Sequence, residues 1–152
     1  MAITQAEARQ QILDELGGAN ERIGYALACL GSAYELLTAG PGDRLEAELH
    51  GPVQKAYGRG KRTRLQFAER AGFEIGEHEV PSPGLRSQGV KAFVEQAVRA
   101  AADGDRRLAD LQDSMLPVES GDAELRAGIS EVRTLLAGLS ARSREFLRTL
   151  GR

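Results

Sequence analysis

The chain has 152 residues, of which 41% are hydrophobic, 5% aromatic and 28% charged, and its formal net charge is −2. This length fits one domain with a sizeable core, and the apolar fraction excludes a compositionally disordered protein. The near-neutral charge argues against a general nucleic-acid-binding protein, and the single cysteine excludes an intrachain disulfide or a thiolate metal cluster.

The first predicted helix spans about residues 4–38. Thr4 and Glu7 have the spacing of a capping box, which satisfies two amide groups at a helix start. The pattern runs through Gly17-Gly18, so we predict one continuous helix, weakened or bent there, that stops at Ala39-Gly40-Pro41-Gly42. Its core positions alternate in steps of four and three, the heptad period, at Ile12, Leu16, Ala19, Ile23, Ala26, Leu30, Ala33 and Leu37.

The second predicted helix spans about residues 43–71 and ends at Gly72, a typical residue just past a helix end. Gly51-Pro52 lies inside it, and the missing amide hydrogen of Pro52 predicts a kink or a fresh helix start near residue 51. Its core line is Leu45, Leu49, Val53, Ala56, Gly60, Thr63 and Phe67.

The longest predicted connection is residues 73–85, which have no helical period and contain two prolines. It is long enough to cross the bundle, although a hairpin loop is the simpler interpretation. Two further heptad-patterned helices follow at about residues 86–115 and 121–150, separated by a break at Leu116-Pro117.

Heptad spacing in three separate segments predicts left-handed packing of neighbouring helices at shallow angles. We therefore expect an all-α protein, with roughly 70% or more of its residues in helices. The expected fold is an antiparallel four-helix bundle, with up-down-up-down as the favoured topology, in a single domain covering residues 1–152.

A stripe of glycines at seven-residue spacing marks the first helix. Gly17, Gly24 and Gly31 lie beside Leu27 and Tyr34, and each mid-helix glycine costs about 1 kcal/mol relative to alanine. Such a cost indicates that something packs closely against the stripe. A partner helix of the same bundle would satisfy it, and so would a second subunit or a ligand; we take it as the candidate association stripe.

A basic edge marks the second helix, where Lys55, Arg59, Arg62 and Arg70 share one face beside the core line. This edge is a candidate anion-binding site for a phosphate-bearing ligand or RNA, with Tyr57 available for stacking. The simpler interpretation is that the edge faces the acidic first helix and solvent.

The sequence predicts no catalytic, cofactor or metal site. Di-metal bundles need Glu-x-x-His pairs, and neither His50 nor His78 has an acidic residue three positions earlier. Cys29 lies beside the core line of the first helix, where a small half-buried hydrophobic residue is expected rather than a reactive thiol.

These features favour a non-enzymatic helical-bundle module that acts through protein association, most simply as a homodimer. The alternative is a small enzyme, or a bundle that binds a phosphate ligand or nucleic acid through the basic edge, although nucleic acid is the weaker partner. The N-terminus lacks the pattern of a signal peptide and no long apolar stretch occurs, so we expect a cytoplasmic protein without a membrane partner.

Overall fold

The computed structural model describes residues 4–151, and 82% of these residues are helical. Within that range no strand occurs, which confirms the all-α prediction. A π-helical turn at Glu46–His50 and a 3₁₀ turn at Arg86–Gln88 interrupt the α-helices. The α-helices are α1 (Gln5–Glu35), α2 (Ala39–Leu45), α3 (Gly51–Ala71), α4 (Val90–Asp113), α5 (Leu116–Glu119), α6 (Ala123–Leu136) and α7 (Leu139–Leu150).

The start of α1 has the predicted capping box. The Glu7 amide donates to Thr4 Oγ1 at 3.1 Å, and the Thr4 amide donates to Glu7 Oε2 at 3.0 Å. The helix then continues through Gly17-Gly18 without interruption and ends at Glu35, slightly before the predicted end. The two amide groups bonded by this cap would otherwise have no partner inside the helix.

The predicted break at residues 39–42 was wrong, because these residues form the first turn of α2. Pro41 is tolerated there since amide groups in the first turn of a helix need no partner inside it. The Gly42 amide donates to the Thr38 carbonyl at 2.8 Å, so the helical path begins well before the predicted start at residue 43. The predicted end is confirmed by Gly72, which has a left-handed φ of 78°.

The discontinuity expected near Pro52 is a π-helical turn, in which the Gly51 amide donates to the Glu46 carbonyl. Proline has no amide hydrogen, so Pro52 cannot donate to the Glu48 carbonyl four residues earlier. Arg142 of α7 supplies a donor instead, with its Nε 2.9 Å from the Glu48 oxygen. A side chain distant in sequence therefore replaces the bond that the proline removes.

Both α3 and α4 run opposite to α1. Arg64 donates to the Leu13 carbonyl, and a Cβ on Gly24 would lie 2.9 Å from the Tyr57 ring. Later residues of α3 thus contact earlier residues of α1, so the two helices are antiparallel. On the other side of α1, Cys29 Sγ lies 3.7 Å from Gln96 Oε1 and a Cβ on Gly18 would touch Arg107. Later residues of α1 therefore contact earlier residues of α4, so α4 is also antiparallel to α1. Of all the helices, α4 packs most extensively on α1.

Residues 73–85 therefore cross back along the bundle, and we call them the crossing segment. The favoured up-down-up-down order was wrong, because α3 and α4 run in the same direction. The ion pairs of Arg70 with Asp122 and of Arg59 with Glu131 show that α6 runs opposite to α3. The crossing segment holds this order because His78 and Val80 lie against the glycines of α1.

The predicted fourth helix, at residues 121–150, is divided into α6 and α7. Ala137 is extended and Gly138 has a φ of 78°, a left-handed conformation that favours glycine and ends α6. The predicted third helix, at residues 86–115, is also shorter, since Gly89 with a φ of 87° separates the 3₁₀ turn from α4. The heptad spacing continues across Gly138 because α7 presents its apolar face to the same core.

A cluster of buried apolar side chains receives residues from each long helix. Its largest fully buried members include Phe93 of α4 and Phe146 of α7, and alanines of α1 and α4 fill the close contact between these helices. No helix in residues 4–151 is long and apolar enough to cross a membrane.

Candidate ligand-binding cleft

A cleft of about 320 Å³ lies between α1, α3 and the crossing segment. This volume falls at the lower end of the range of small-molecule pockets. The three elements contribute polar and charged groups as well as apolar walls. The lining residues are Asn20, Glu21, Tyr57, Lys61, Arg64, Leu65, Ile75, Gly76, Glu77, His78 and Val80.

Asn20 is the most buried polar side chain in the cleft, with 6% of its surface exposed. It packs against Gly60 of α3, and a Cβ at residue 60 would overlap the Asn20 side-chain amide. No described residue forms a hydrogen bond with this amide. The polar atoms of this largely buried side chain are not themselves fully buried, so they remain open to a ligand in the cleft.

Arg64 is a half-buried cation in the cleft and has no carboxylate within ion-pair distance among residues 4–151. Its Nε donates to the Leu13 carbonyl at 2.9 Å, and its Nη1 donates to the Gly76 carbonyl at 3.3 Å. Burial lowers the pKa of the guanidinium, and the charge of Asp14 opposes that shift. These two bonds fix the side chain between α1 and the crossing segment, and they leave Nη2 without an acceptor.

The other polar groups vary in how firmly they are held. Lys61 Nζ lies 4.4 Å from the centre of the Tyr57 ring, a cation–π distance. Glu21 of α1 and Glu77 of the crossing segment line the same cleft, and neither forms an ion pair with Lys61 or Arg64. The cleft therefore holds separate charges of both signs that no internal pair neutralises.

The glycine stripe of α1 forms much of the cleft wall. A Cβ at Gly17 would lie 2.8 Å from His78 Nε2 and 3.2 Å from Arg64 Nε. A Cβ at Gly24 would lie 2.9 Å from the Tyr57 ring and 3.0 Å from Val80 Cγ2. At these two positions, side chains of α3 and of the crossing segment cover the stripe within one chain.

The part of the candidate association stripe nearer the C-terminal end of α1, at Gly31 and Tyr34, is not covered by the rest of the chain that the structure describes. A Cβ at Gly31 would meet no atom within 4 Å. Tyr34 is 44% exposed, whereas Leu27 is partly buried and packs against the core. The predicted stripe thus has a covered part at Gly17 and Gly24 and an exposed part at Gly31 and Tyr34.

The basic edge of α3 faces α6. The expectation that its neighbouring helix would be the acidic first helix was therefore wrong. Arg59 Nε lies 2.6 Å from Glu131 Oε2, and Arg70 contacts both Asp122 and Glu124 at 2.7 and 3.0 Å. The cause is the run of acidic residues that α6 places opposite α3. The two other members of the edge, Lys55 and Arg62, are exposed.

Cys29 is more buried than the half-buried position that the sequence indicated, with none of its surface exposed. Burial raises the pKa of the thiol, whereas a hydrogen bond with Tyr25 and the charge of Arg22 oppose that shift. The thiol also lies 3.7 Å from Gln96 Oε1. It behaves as a packed residue between α1 and α4.

The sequence did not identify Asn20 and Arg64 as site residues. Asn20 stands next to the heptad core line of α1, and Gly60 stands on the core line of α3. A polar residue beside one core line and a glycine on another are compatible with many arrangements, so only the packing of the two helices shows that they meet. Among the described residues, no group of three or more His, Cys, Asp or Glu side chains could hold a metal ion.

Comparisons of this chain with protein-family models, with curated proteins and with solved structures find no match.

Proposed function

We propose that this chain is a non-enzymatic module, a single four-helix-bundle domain, that binds a small polar ligand in the cleft. The observation that carries this proposal is Asn20, a largely buried residue of the cleft wall whose side-chain amide has no hydrogen-bond partner among residues 4–151. A polar group that packing holds in place and that is open only toward the cleft is suited to bond a ligand there. A cytoplasmic location is part of the proposal.

The half-buried Arg64 supports the same conclusion. Its guanidinium is anchored at Nε and Nη1 by backbone oxygens of two elements, so it is held in place before any ligand arrives. A pre-organised polar group costs little ordering entropy on binding. The cleft also explains why glycines occur inside these helices. Each of them gives space to a side chain that lines the cleft, at Gly17, Gly24 and Gly60.

Ligand binding can be tested with a fragment library on ¹⁵N-labelled full-length protein. We expect saturable chemical-shift changes that cluster at Gly17, Gly24 and Gly76. Asn20→Ala should weaken the polar fragments, whereas Gln54→Ala, on the exposed side of α3, should not. Hits that spread over the whole surface, or that are indifferent to Asn20→Ala, would remove the basis of the proposal.

Self-association is a second candidate function, and the open part of the glycine stripe favours it. Gly31 has free space above its Cα atom and Tyr34 beside it is 44% exposed, so a second copy of α1 could approach there. The remaining apolar area is smaller than the sequence suggested, because Gly17 and Gly24 are already covered.

Sedimentation equilibrium tests this second candidate. We expect a homodimer whose dissociation constant rises in Tyr34→Glu and stays the same in Ala102→Glu, an exposed site on α4. A protein that is monomeric at the highest soluble concentration would exclude it.

Phosphate or nucleic-acid binding through the basic edge is a weaker proposal. The ion pairs of Arg59 and Arg70 with α6 would have to break, leaving Lys55 and Arg62 as the exposed cations of the edge. Two free charges supply few phosphate contacts, so we expect weak binding that is lost as salt rises.

A further inference from the structure

The cations of this chain differ in whether a carboxylate accompanies them. Arg59, Arg70 and Arg133 contact carboxylates at 2.6–2.9 Å. Arg64 and Lys61, which both line the cleft, contact no carboxylate in the described part of the chain, residues 4–151. A half-buried guanidinium without a counter-charge is costly to desolvate, and an anionic ligand would reduce that cost.

The geometry of Arg64 suits an oxyanion. Its Nε and Nη1 each donate one bond to a backbone carbonyl, which fixes the plane of the guanidinium. Both hydrogens of Nη2 and one hydrogen of Nη1 are left without an acceptor among the described residues, so the guanidinium keeps donors for an oxyanion. Two parallel N–H groups match the two oxygens of a carboxylate.

Asn20 adds neutral donors on the α1 side of the cleft. Its amide oxygen lies against Gly60, and its amide nitrogen can donate to an oxyanion. Because the side chain is nearly fully buried against Gly60, its position is set by packing. Such a group discriminates between ligands more strongly than an exposed one.

The acidic residues of the cleft limit the charge of the ligand. Glu21 and Glu77 line the same space as Arg64 and Lys61, so a dianion such as a phosphate monoester would meet repulsion that a single negative charge meets less. The apolar side chains of Leu65, Ile75 and Val80 provide a surface for a compact apolar body.

We propose that the cleft binds a small monocarboxylate, with the carboxylate on Arg64 and Asn20 and the apolar body against Tyr57, Leu65 and Val80. This inference rests on the proposed ligand-binding function and names its ligand class. The volume of about 320 Å³ suits a compact acid rather than a nucleotide.

The test uses benzoate as the probe, benzamide as its neutral counterpart and inorganic phosphate as the alternative anion. Each is titrated at low ionic strength into the ¹⁵N-labelled full-length protein. We expect benzoate to bind with a dissociation constant of roughly a millimolar. The shifts should cluster at Gly17, Gly76 and the Arg64 Nε–H signal, and benzamide and phosphate should bind at least about tenfold more weakly.

Two pairs of variants assign the contacts. Arg64→Gln should weaken benzoate about tenfold or more, and Arg126→Gln, an exposed arginine of α6, should not. Arg64 also bonds the crossing segment, so Arg64→Gln could weaken binding by displacing that segment. Asn20→Asp is an independent test, because the two side chains have nearly the same size. Its added negative charge should abolish benzoate binding while benzamide binding changes little. Lys61→Gln should weaken benzoate by a smaller factor than Arg64→Gln, and Lys55→Gln on the same helix should have no effect.

Benzamide binding as tightly as benzoate in the cleft would overturn the inference and leave the ligand-binding proposal standing. Phosphate binding more tightly than benzoate would overturn it as well, because the repulsion argument would be wrong. If benzoate gives no saturable shifts in the cleft, the monocarboxylate inference fails, and the fragment hits decide separately whether the cleft binds anything.

Discussion

The side-chain amide of Asn20 in α1 occupies the space that a Cβ of residue 60 in α3 would take. We therefore expect Gly60→Ala to destabilise the protein by about 1–2 kcal/mol, because the overlap outweighs the gain of about 1 kcal/mol in helix propensity. Urea unfolding measures the change. In the Asn20→Ala background the same substitution should become stabilising, and Gly58→Ala, which meets no atom within 4 Å, should stabilise the protein in either background.

The three glycines of the α1 stripe should respond differently to alanine. Gly24→Ala should destabilise the protein by about 1 kcal/mol, because the new Cβ meets the Tyr57 ring and Val80 at 2.9–3.0 Å. Gly17→Ala should cost less, since the exposed end of His78 can move and the anchored Arg64 is less closely approached, with its Nε at 3.2 Å. Gly31→Ala should stabilise by roughly 0.5–1 kcal/mol.

Urea unfolding and limited proteolysis of the crossing segment measure these effects together. Gly24→Ala should increase cleavage between residues 73 and 85, and Gly31→Ala should not. Equal stabilisation by all three substitutions would mean that the crossing segment does not pack on α1.

Asp122 should make stability depend on pH. Its Oδ1 accepts from the Leu125 amide at 3.0 Å, and Arg70 donates to both carboxylate oxygens at 2.7 and 2.9 Å. Burial alone would raise the pKa of Asp122, but these bonds outweigh burial and lower it. The stabilisation is therefore present above the pKa of an unfolded aspartate, about 3.9, and is lost as pH falls through the lower folded pKa.

Asp122→Ala should cost about 1–2 kcal/mol at neutral pH through loss of the helix cap and the ion pair. This cost should shrink as pH falls below about 4. Thermal unfolding across pH measures it, with Asp110→Ala on exposed α4 surface as the control. A cost for Asp122→Ala that is independent of pH would contradict the assignment.

The contribution of Arg142 to stability should depend on Pro52, because Arg142 donates to the Glu48 carbonyl that Pro52 cannot bond. Arg142→Met keeps most of the apolar stem and removes the bonds to the carbonyls of Glu48 and Ala137, both within 3.0 Å. We expect a loss of about 1–2 kcal/mol in urea unfolding. In a Pro52→Ala background the restored amide hydrogen can satisfy Glu48, so the loss should be smaller. Arg126→Met is the matched control, and an equal loss in both backgrounds would rule out this coupling.

Cys29 should be unreactive in the folded protein. Its side chain is fully buried and burial raises the pKa of the thiol, so little thiolate reaches solvent at neutral pH. Iodoacetamide should alkylate it much faster in urea than in native buffer. Ala102→Cys in a Cys29→Ala background provides an exposed comparison that reacts rapidly in both conditions. Rapid native alkylation of Cys29 would show that the helix contact opens.

The heptad pattern predicted the long helices because each buries a regular apolar line, and local signals such as the Thr4 capping box and Gly72 located two helix ends. Gly138 was missed because the apolar spacing continues across the break. The direction of α4 could not be predicted, since it depends on where His78 and Val80 pack, far away in sequence. Asn20 and Arg64 were missed for the same reason, because their setting is created by three elements that meet only in the folded chain.

The crossing segment ties cleft occupancy to folding. Residues 4–72 and 90–151 each contain an antiparallel helix pair, α1 with α3 and α4 with α6, which can form from contacts within that part of the chain. The cleft needs the first pair and the crossing segment in their final places, so it should form late. A ligand held there binds the native state alone and adds about 2.7 kcal/mol of stability at a hundredfold excess over its dissociation constant. The bundle would then unfold at a temperature that reports the concentration of its ligand.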